Sequence, residues 1–480
     1  MFRKQKNQFF ITMLVSGIVL CSFNNLIYAD DLNKNSTTIN DKNSEQKQAA
    51  GNLLCGNRLS DQILSEKEEG WSPIIIPILN YKTKHGVGFG FNGGATYNGQ
   101  KDDQYFCYAP YVYEITALIY HTLKGEQDYS FNCDMPYFLN SPIEIMTSFE
   151  YDKLGDASYF GIGPEASKYL VTRYGARYRS YNRYNRHFLV AYDPMNPISP
   201  LYKKKINDKY NEYIYNMLMG NVAGVINIAK YIKISAAFNL KKVHVSSWAG
   251  EEFDTMKEQN VTSSLTLIDL DPAVINQKRQ GYINSIRFGI GFDTRDYAPD
   301  PRNGAFLDYT INFYSKYLGS DFNFIRSTAC ARYYYSPVWQ LTFATRIAYT
   351  TVTGKVPFYE LGIFSFLMED QPGLGNDSTL RGYQYNRFIG HTMTVGNLEV
   401  RWEFIKFKLF QQNFAFKIIG FVDAGSVFKK SFDFLTKWNN YHIGYGPGLA
   451  IVYNLSTIIH YYLGFSSEDM TMSFDFNHAF

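Results

Sequence analysis

"GVGFGFNGGATYN", residues 86–98, decides the fold. Its odd positions Val87, Phe89, Phe91, Ala95 and Tyr97 are apolar, and its even positions are glycine, asparagine or threonine. Successive side chains of a strand point to opposite faces, so the segment has one greasy and one polar side. "WQLTFATRIAYT" (339–350) repeats the pattern, with Trp339, Leu341, Phe343, Ile347 and Tyr349 set against Gln340, Thr342, Arg346 and Thr350. So does "MTMSFDFNHAF" (470–480), where Met470, Met472, Phe474, Phe476 and Phe480 share a face. Alternation sustained over such lengths fits a tilted strand crossing a bilayer, which takes about 9–11 residues.

Working outward, the same period predicts strands at 86–98, 104–121, 126–135, 143–153, 168–190, 210–226, 230–248, 281–294, 304–317, 322–336, 338–351, 391–405, 412–424, 441–453, 457–466 and 470–480. That is an even number, about sixteen, as single-chain bacterial barrels have. Composition agrees. Aromatics make up 17% of the chain, from 40 Tyr and 38 Phe but only 5 Trp, while mean hydropathy is −0.26. The expected fold class is therefore all-β, a transmembrane antiparallel β-barrel. The long segments 191–209, 249–280 and 352–390 each follow an odd-numbered strand, which puts them on one side, the outside.

Ahead of the barrel, Arg3, Lys4 and Lys6 precede the apolar run "FFITMLVSGIVLC" and then "LIYA". That is a signal peptide over 1–29, cleaved after Ala29. Residues 30–72, rich in Asn, Lys, Ser and Gln, read as a flexible periplasmic segment, and 73–480 as the barrel. Cleavage removes three of the 47 basic residues and none of the 44 acidic ones, leaving the two balanced. Such a chain does not advertise nucleic acid as a partner. Cys55, Cys107, Cys133 and Cys330 are scattered, so neither a zinc site nor a disulfide pairing is indicated.

Several stretches imitate functional motifs. The glycines of residues 86–94 have GxGxG spacing, but they lie on one face of a strand with no helix after them, so they read as lumen-facing wall. "RYGARYRSYNRYNRH" looks like a nucleic-acid segment. Parity instead puts Arg173, Arg177, Arg179 and Arg183 on one face and Tyr174, Tyr178 and Tyr184 on the other, a basic ladder toward the lumen. Its plain reading is a solvated charge network; its functional one is attraction of anionic cargo or lipid head groups. Glu251, Glu252, Asp254, Asp269 and Asp271 lack the spacing of a calcium loop. No nucleophile elbow or HExxH appears, and the histidines are dispersed. The sequence calls for no catalytic residues, no metal and no cofactor.

"GNDSTLRGYQYNRFIGH" (375–391) sets Arg381 beside Gly382 in a long polar loop. In the strand that follows, Leu398, Val400, Trp402 and Phe404 face lipid, so Asn397, Glu399, Arg401 and Glu403 face inward. In the next, Ile418 and Val422 face lipid while Lys417 and Asp423 face inward. A guanidinium can bridge Glu399 and Asp423 with a fixed fork of donors, and Gly382 lets the backbone approach the wall. The long loop is therefore expected to fold into the lumen and to be pinned there by Arg381.

These residues also carry a resemblance. "STLRGY", "GNLEVRWEF", "FVDAGSVF" and a terminal strand ending in Phe480 resemble the BamA/TamA-type superfamily of outer-membrane proteins, the bacterial surface antigens. "FDTRDYAPDPRNGAFLDY" (292–309) is similar to that family's aspartate-rich turn, and "YFGIGPEAS" (159–167) also looks like it. The resemblance implies sixteen strands and an Arg that reaches inward to acidic residues of the following strands, here Arg381 to Glu399 and Asp423. It also implies Phe474, Phe476 and Phe480 as a C-terminal strand signal read by the barrel assembly machinery. Members that insert or translocate proteins carry POTRA domains, and residues 30–72 cannot hold one, so the expectation is the group without them. The expected role is transport, translocation or insertion of protein or lipid at the bacterial outer membrane. The alternatives are a surface-binding or structural barrel and a simple diffusion pore. Expected partners are outer-membrane lipids and lipopolysaccharide; the cargo is open.

Overall fold

The structure, a computed structural model, describes residues 58–82, 86–123, 125–172, 175–189, 209–249, 265–409, 412–455, 457–476 and 478–480. It is an all-β, antiparallel transmembrane barrel of sixteen strands. The first eight are β1 (Trp71–Lys82), β2 (Gly86–Tyr97), β3 (Tyr113–Thr122), β4 (Gln127–Met135), β5 (Ile143–Ser158), β6 (Glu212–Ala229), β7 (Ile232–Ser247) and β8 (Ser285–Asp293). The second eight are β9 (Gly304–Tyr314), β10 (Phe324–Val338), β11 (Leu341–Gly354), β12 (Thr392–Leu409), β13 (Gln412–Phe428), β14 (His442–Tyr453), β15 (Thr457–Ser466) and β16 (Met470–Phe476). Each pairs with the next in sequence. Gln280–Tyr282 continues β8 on β7 in the same register, Gln280 opposite His244 and Ser285 opposite Asn239.

Alternation sorts the side chains as expected. On β2, Val87, Phe89 and Phe91 are exposed to the outside; on β12, Leu398 and Trp402 are exposed while Asn397, Glu399 and Arg401 are buried. The loops that follow odd-numbered strands share one rim. Their described parts include 159–172, 175–189, 265–279 and 355–391, so the segment 352–390 falls on this rim, while 191–208 and 250–264 lie outside the described residues. The opposite rim carries the shorter joints, such as 230–231 and 339–340.

Two strand assignments change. The described residues of the segment 168–190 do not form a membrane-crossing strand. Leu170–Val171 pairs with Arg177–Tyr178 in a short hairpin, and α2 (Tyr181–Leu189) follows. Tyr178, Tyr181 and Tyr184 are three apart as well as interleaved with arginines, and the helical spacing wins because Tyr184 packs into a cluster with Phe160, Leu170 and Tyr210. The basic ladder is thereby dissolved: Arg177, Arg179 and Arg183 are exposed on the hairpin and helix rather than lining the lumen, and Arg173 lies outside the described residues. The strand that replaces it is β1, which begins at Trp71 inside the segment 30–72 expected to be flexible. Its run "IIIPIL" hides the alternation, and Pro73 and Pro77 argue against a central strand but suit an edge.

The terminus differs too. Phe474 and Phe476 belong to β16, opposite Tyr461 and Ile459, but Phe480 leaves the strand and turns into the lumen. The guanidinium groups of Arg346 and Arg401 lie 4.9 and 5.4 Å from its ring centroid. They also donate to the main-chain oxygens of Ala479 and Phe480, 3.2 and 3.1 Å away. Arg346 otherwise reaches only neutral acceptors, Asn397, Gln371 and the Ser378 carbonyl, so inward carbonyls and an aromatic face complete its shell.

Across the short-joint rim runs α1 (Asp61–Glu66), capped by Ser60. Leu59 and Ile63 pack with Tyr297, Trp339 and Leu455. Glu66 pairs with Lys406 at 2.6 Å, and Lys67 donates to the carbonyls of Phe106 and Ala109. Burial pulls the Lys67 ammonium down to about 8. This strap joins the β2–β3 joint on one side of β1 to the β12–β13 and β14–β15 joints on the other.

Candidate functional site

The loop between β11 and β12 enters the lumen and becomes its core. Phe364, Phe366, Leu374, Leu380 and Phe388 are fully buried against wall residues Ala348, Met393, Val395 and Val427. Each such side chain contributes about 1.5–3 kcal/mol on burial. A hairpin, Ile363–Ser365 with Asp370–Pro372, projects between two cavities of about 370 and 420 Å³.

Arg381 sits at the centre of this packing. Its Nε and Nη2 donate to Asp423 Oδ2 and Oδ1 at 2.8 and 2.7 Å, and its Nη1 to Glu399 Oε1 at 2.6 Å. All three side chains are 0–1% exposed, so the charges are balanced inside protein rather than in water. The second carboxylate oxygen of Glu399 accepts from Arg401 at 2.8 Å, giving two cations and two anions. Asn397 donates to Asp423 and to the Thr379 carbonyl. The guanidinium lies over Phe421, 3.6 Å from the ring centroid, with Tyr462 at 4.5 Å. The structure thus brings together Arg381, Gly382, Glu399 and Asp423. It does not bring to them Arg177, Arg179, Arg183, Phe474 or Phe476, although a main-chain oxygen of Phe480 joins through Arg401.

Gly382 has φ +91°, and a Cβ there would meet the backbone of Phe465. Close approach is needed on the wall as well: a side chain at Gly444 would run into the Arg381 carbonyl, and one at Gly464 into the Gly382 nitrogen. Gly382 N–H donates to Thr471 Oγ1 on β16 at 3.0 Å, and its carbonyl accepts from Ser466 at 2.6 Å.

Sequence reasoning missed the rest of the clamp. Arg387 makes a fork to Glu468, with distances of 2.7 and 2.9 Å, and Gln384 donates to Asp469. On its other side Arg387 donates to the Ala166 carbonyl, and Ile389 bridges to Ile162. The loop therefore ties the segment 160–167 to the β15–β16 turn. The signal was within the quoted stretch, where Arg387 follows Arg381 by six residues, but its partners lie far off in sequence. A second buried anchor, Glu360, accepts from Lys241 at 2.6 Å and Arg326 at 3.2 Å.

The Omp85 superfamily domain matches residues 116–459. The chain belongs to the Omp85 superfamily. A second family model, a domain of unknown function (DUF5982), matches residues 52–112, the region that holds α1, β1 and β2. Solved structures similar to this Omp85 barrel include BamA from Haemophilus ducreyi lacking POTRA domains 1–3, at 12% identity and TM-score 0.46, covering 85% of this chain and 70% of that one. CdiB from Escherichia coli is 10% identical with TM-score 0.47, covering 85% and 62%. CdiB from Acinetobacter baumannii is 11% identical with TM-score 0.42, covering 86% and 60%. The chain spans less than two thirds of either CdiB. No curated protein matches the sequence.

Proposed function

We propose that this outer-membrane Omp85 barrel inserts or translocates protein or lipid through a seam between β1 and β16, with the Arg381 loop as an internal latch. The observation that carries the reading is where Pro73 and Pro77 fall. Tyr97 and Val87 turn their carbonyls toward the β3 side, where Val112 and Leu123 donate to them. Odd residues of β2 are thus committed to β3, and their partners on β1, Pro73 opposite Ala95 and Pro77 opposite Phe91, turn away from β2 toward the seam. Proline has no N–H, so the seam edge of β1 lacks two donors along its length. In lipid a rung without a donor leaves a carbonyl opposite it unsatisfied, which makes this edge the cheapest to part.

The latch touches the other side of the same seam. Gly382 bonds to Thr471 on β16, and Arg387 and Gln384 hold the turn that precedes it. Release of the loop would free the last hairpin to swing. The filled lumen supports this reading over an open diffusion pore. An exported precursor with cleavage after Ala29 fits the outer-membrane location.

The test is to scan cysteine pairs along Trp71–Lys82 and Met470–Phe476 in a background without the native cysteines, until one crosslinks on oxidation. Proteoliposomes are then assayed for accelerated insertion of a small unfolded β-barrel protein. The oxidised barrel should lose the acceleration and reduction should restore it. Equal activity in the locked and open forms rules out the seam.

A further inference from the structure

The segment 429–441, between β13 and β14, does not stand up from the rim. It folds down the outside of the barrel. Tyr349 OH donates to the Ser431 carbonyl at 3.0 Å, and its ring lies 5.1 Å from that of Phe434. Thr351 pairs with Ser431 at 3.1 Å, and Thr394 with Tyr441 at 3.0 Å. Tyr349 and Thr351 alternate with the buried lumen residues Ala348 and Thr350, so they lie on the lipid-facing row that also carries Ile347, 71% exposed. Counting about 9–11 residues of strand from the short joint at 339–340 brings β11 to the far edge of the apolar layer near Tyr349. The segment therefore lies at the boundary between acyl chains and head groups.

Its exposed side chains suit that depth. Phe432 (74%), Leu435 (56%) and Trp438 (71%) point away from the barrel, although nothing in the fold covers them among the described residues. Lys429 and Lys430 flank them, both exposed, and Lys437 is paired with Asp433 at 2.7 Å. Apolar and indole side chains next to exposed ammonium groups match a layer with acyl chains below and phosphates above. A solvated loop has no use for three large apolar groups on its outer side.

We propose that residues 429–441 are a membrane-interface anchor that binds the phosphate groups of the lipid leaflet at the long-loop rim. Lys429 and Lys430 hold the phosphates, while Phe432, Leu435 and Trp438 enter the upper acyl region. The site continues the lipid-facing wall of β11 and β12, next to the strands that clamp Arg381, and is separate from the seam.

The test uses the full barrel refolded into equimolar phosphatidylcholine and phosphatidic acid, with bromine on the upper acyl chain of one lipid or the other. The Trp438 component is the fluorescence difference between wild type and Trp438→Phe. Bromine should quench it, and more strongly on phosphatidic acid, by about fivefold in relative association for each lysine. Lys429→Gln with Lys430→Gln should abolish the head-group preference while leaving quenching and barrel mobility on gels intact. A Trp438 component that neither lipid quenches overturns the proposal, as does equal quenching by both in the wild type. Self-association that shields Trp438 from both lipids would assign the face to a second copy and overturn it as well.

Discussion

Removing the guanidinium of Arg381 leaves Asp423 with Asn397 and no cation in contact among the described residues, while Glu399 keeps Arg401. Breaking a buried pair from one side costs about 3–5 kcal/mol, because the other charge stays buried. Arg381→Ala should therefore undock the loop, and Arg381→Lys should not rescue it, since an ammonium cannot serve Asp423 and Glu399 with a fork. In planar bilayers the wild type should be nearly silent and Arg381→Ala noisy; a variant that conducts and folds like wild type ends the latch. His478 offers a second residue-scale outcome. Burial, helped by the Arg401 and Lys417 charges, pulls its imidazole down to about 4, against the upward pull of Asp300 at 2.9 Å. An undocked histidine protonates near 6.5, so between pH 6.5 and about 4 the free tail binds a proton that the docked tail refuses. Docking should weaken by about 1.4 kcal/mol per pH unit in that window and level off below it. Hydrogen exchange of the C-terminal peptide, corrected for intrinsic rate, checks this. His478→Gln should give a flat profile; a flat wild-type profile contradicts the assignment.

Among the elements, the strap of residues 58–70 bridges both sides of β1 through one short helix. Ile63 is 5% exposed and is its apolar anchor. Ile63→Ala should loosen the strap by about 2 kcal/mol, the lower end for such truncations because the cluster is small. Proteolysis near residue 60 should then speed up while gel mobility of the folded barrel holds; unchanged cleavage means the strap is held elsewhere. What was legible in the sequence divides along the same elements. Strands with one wet and one greasy face, such as β2, β11 and β12, announce themselves by period two, and with them came the inward Glu399 and Asp423, because parity alone says which way a strand residue faces; Arg381, in the loop, followed as the cation those two carboxylates need. β1 stayed hidden because prolines and a continuous apolar run mask its period, while 168–190 mimicked a strand because its tyrosines suit two periods at once. The count of sixteen survived because one gain offset one loss, but every strand before residue 168 changed direction. The Arg387–Glu468 fork and the glycines at 444 and 464 were illegible, since they depend on where the β15–β16 turn meets the loop.

For the molecule as a whole, closure decides both stability and function. Within the sheet every strand from β2 to β15 is paired on two sides, whereas β1 and β16 each have one neighbour in sequence, and the edge that β1 turns toward β16 carries Pro73 and Pro77. Replacing both prolines with valine supplies two donors on that edge and places a β-branched, lipid-compatible side chain at each outward position. Each regained rung contributes about 1 kcal/mol net. Against this stands the loss of proline's restriction of the unfolded chain, worth about 0.4–1 kcal/mol per site. In lipid an unsatisfied carbonyl costs more than in water, so the hydrogen bonds should win and the double variant should unfold at higher urea or temperature than wild type. A better-sealed seam parts less readily, so the same variant should be slower in the proteoliposome insertion assay while its Arg381 cluster is untouched. Stability and activity should thus move in opposite directions. If the variant gains stability and keeps full activity, the seam is structural; if it loses stability, the odd-numbered rungs of β1 do not face β16.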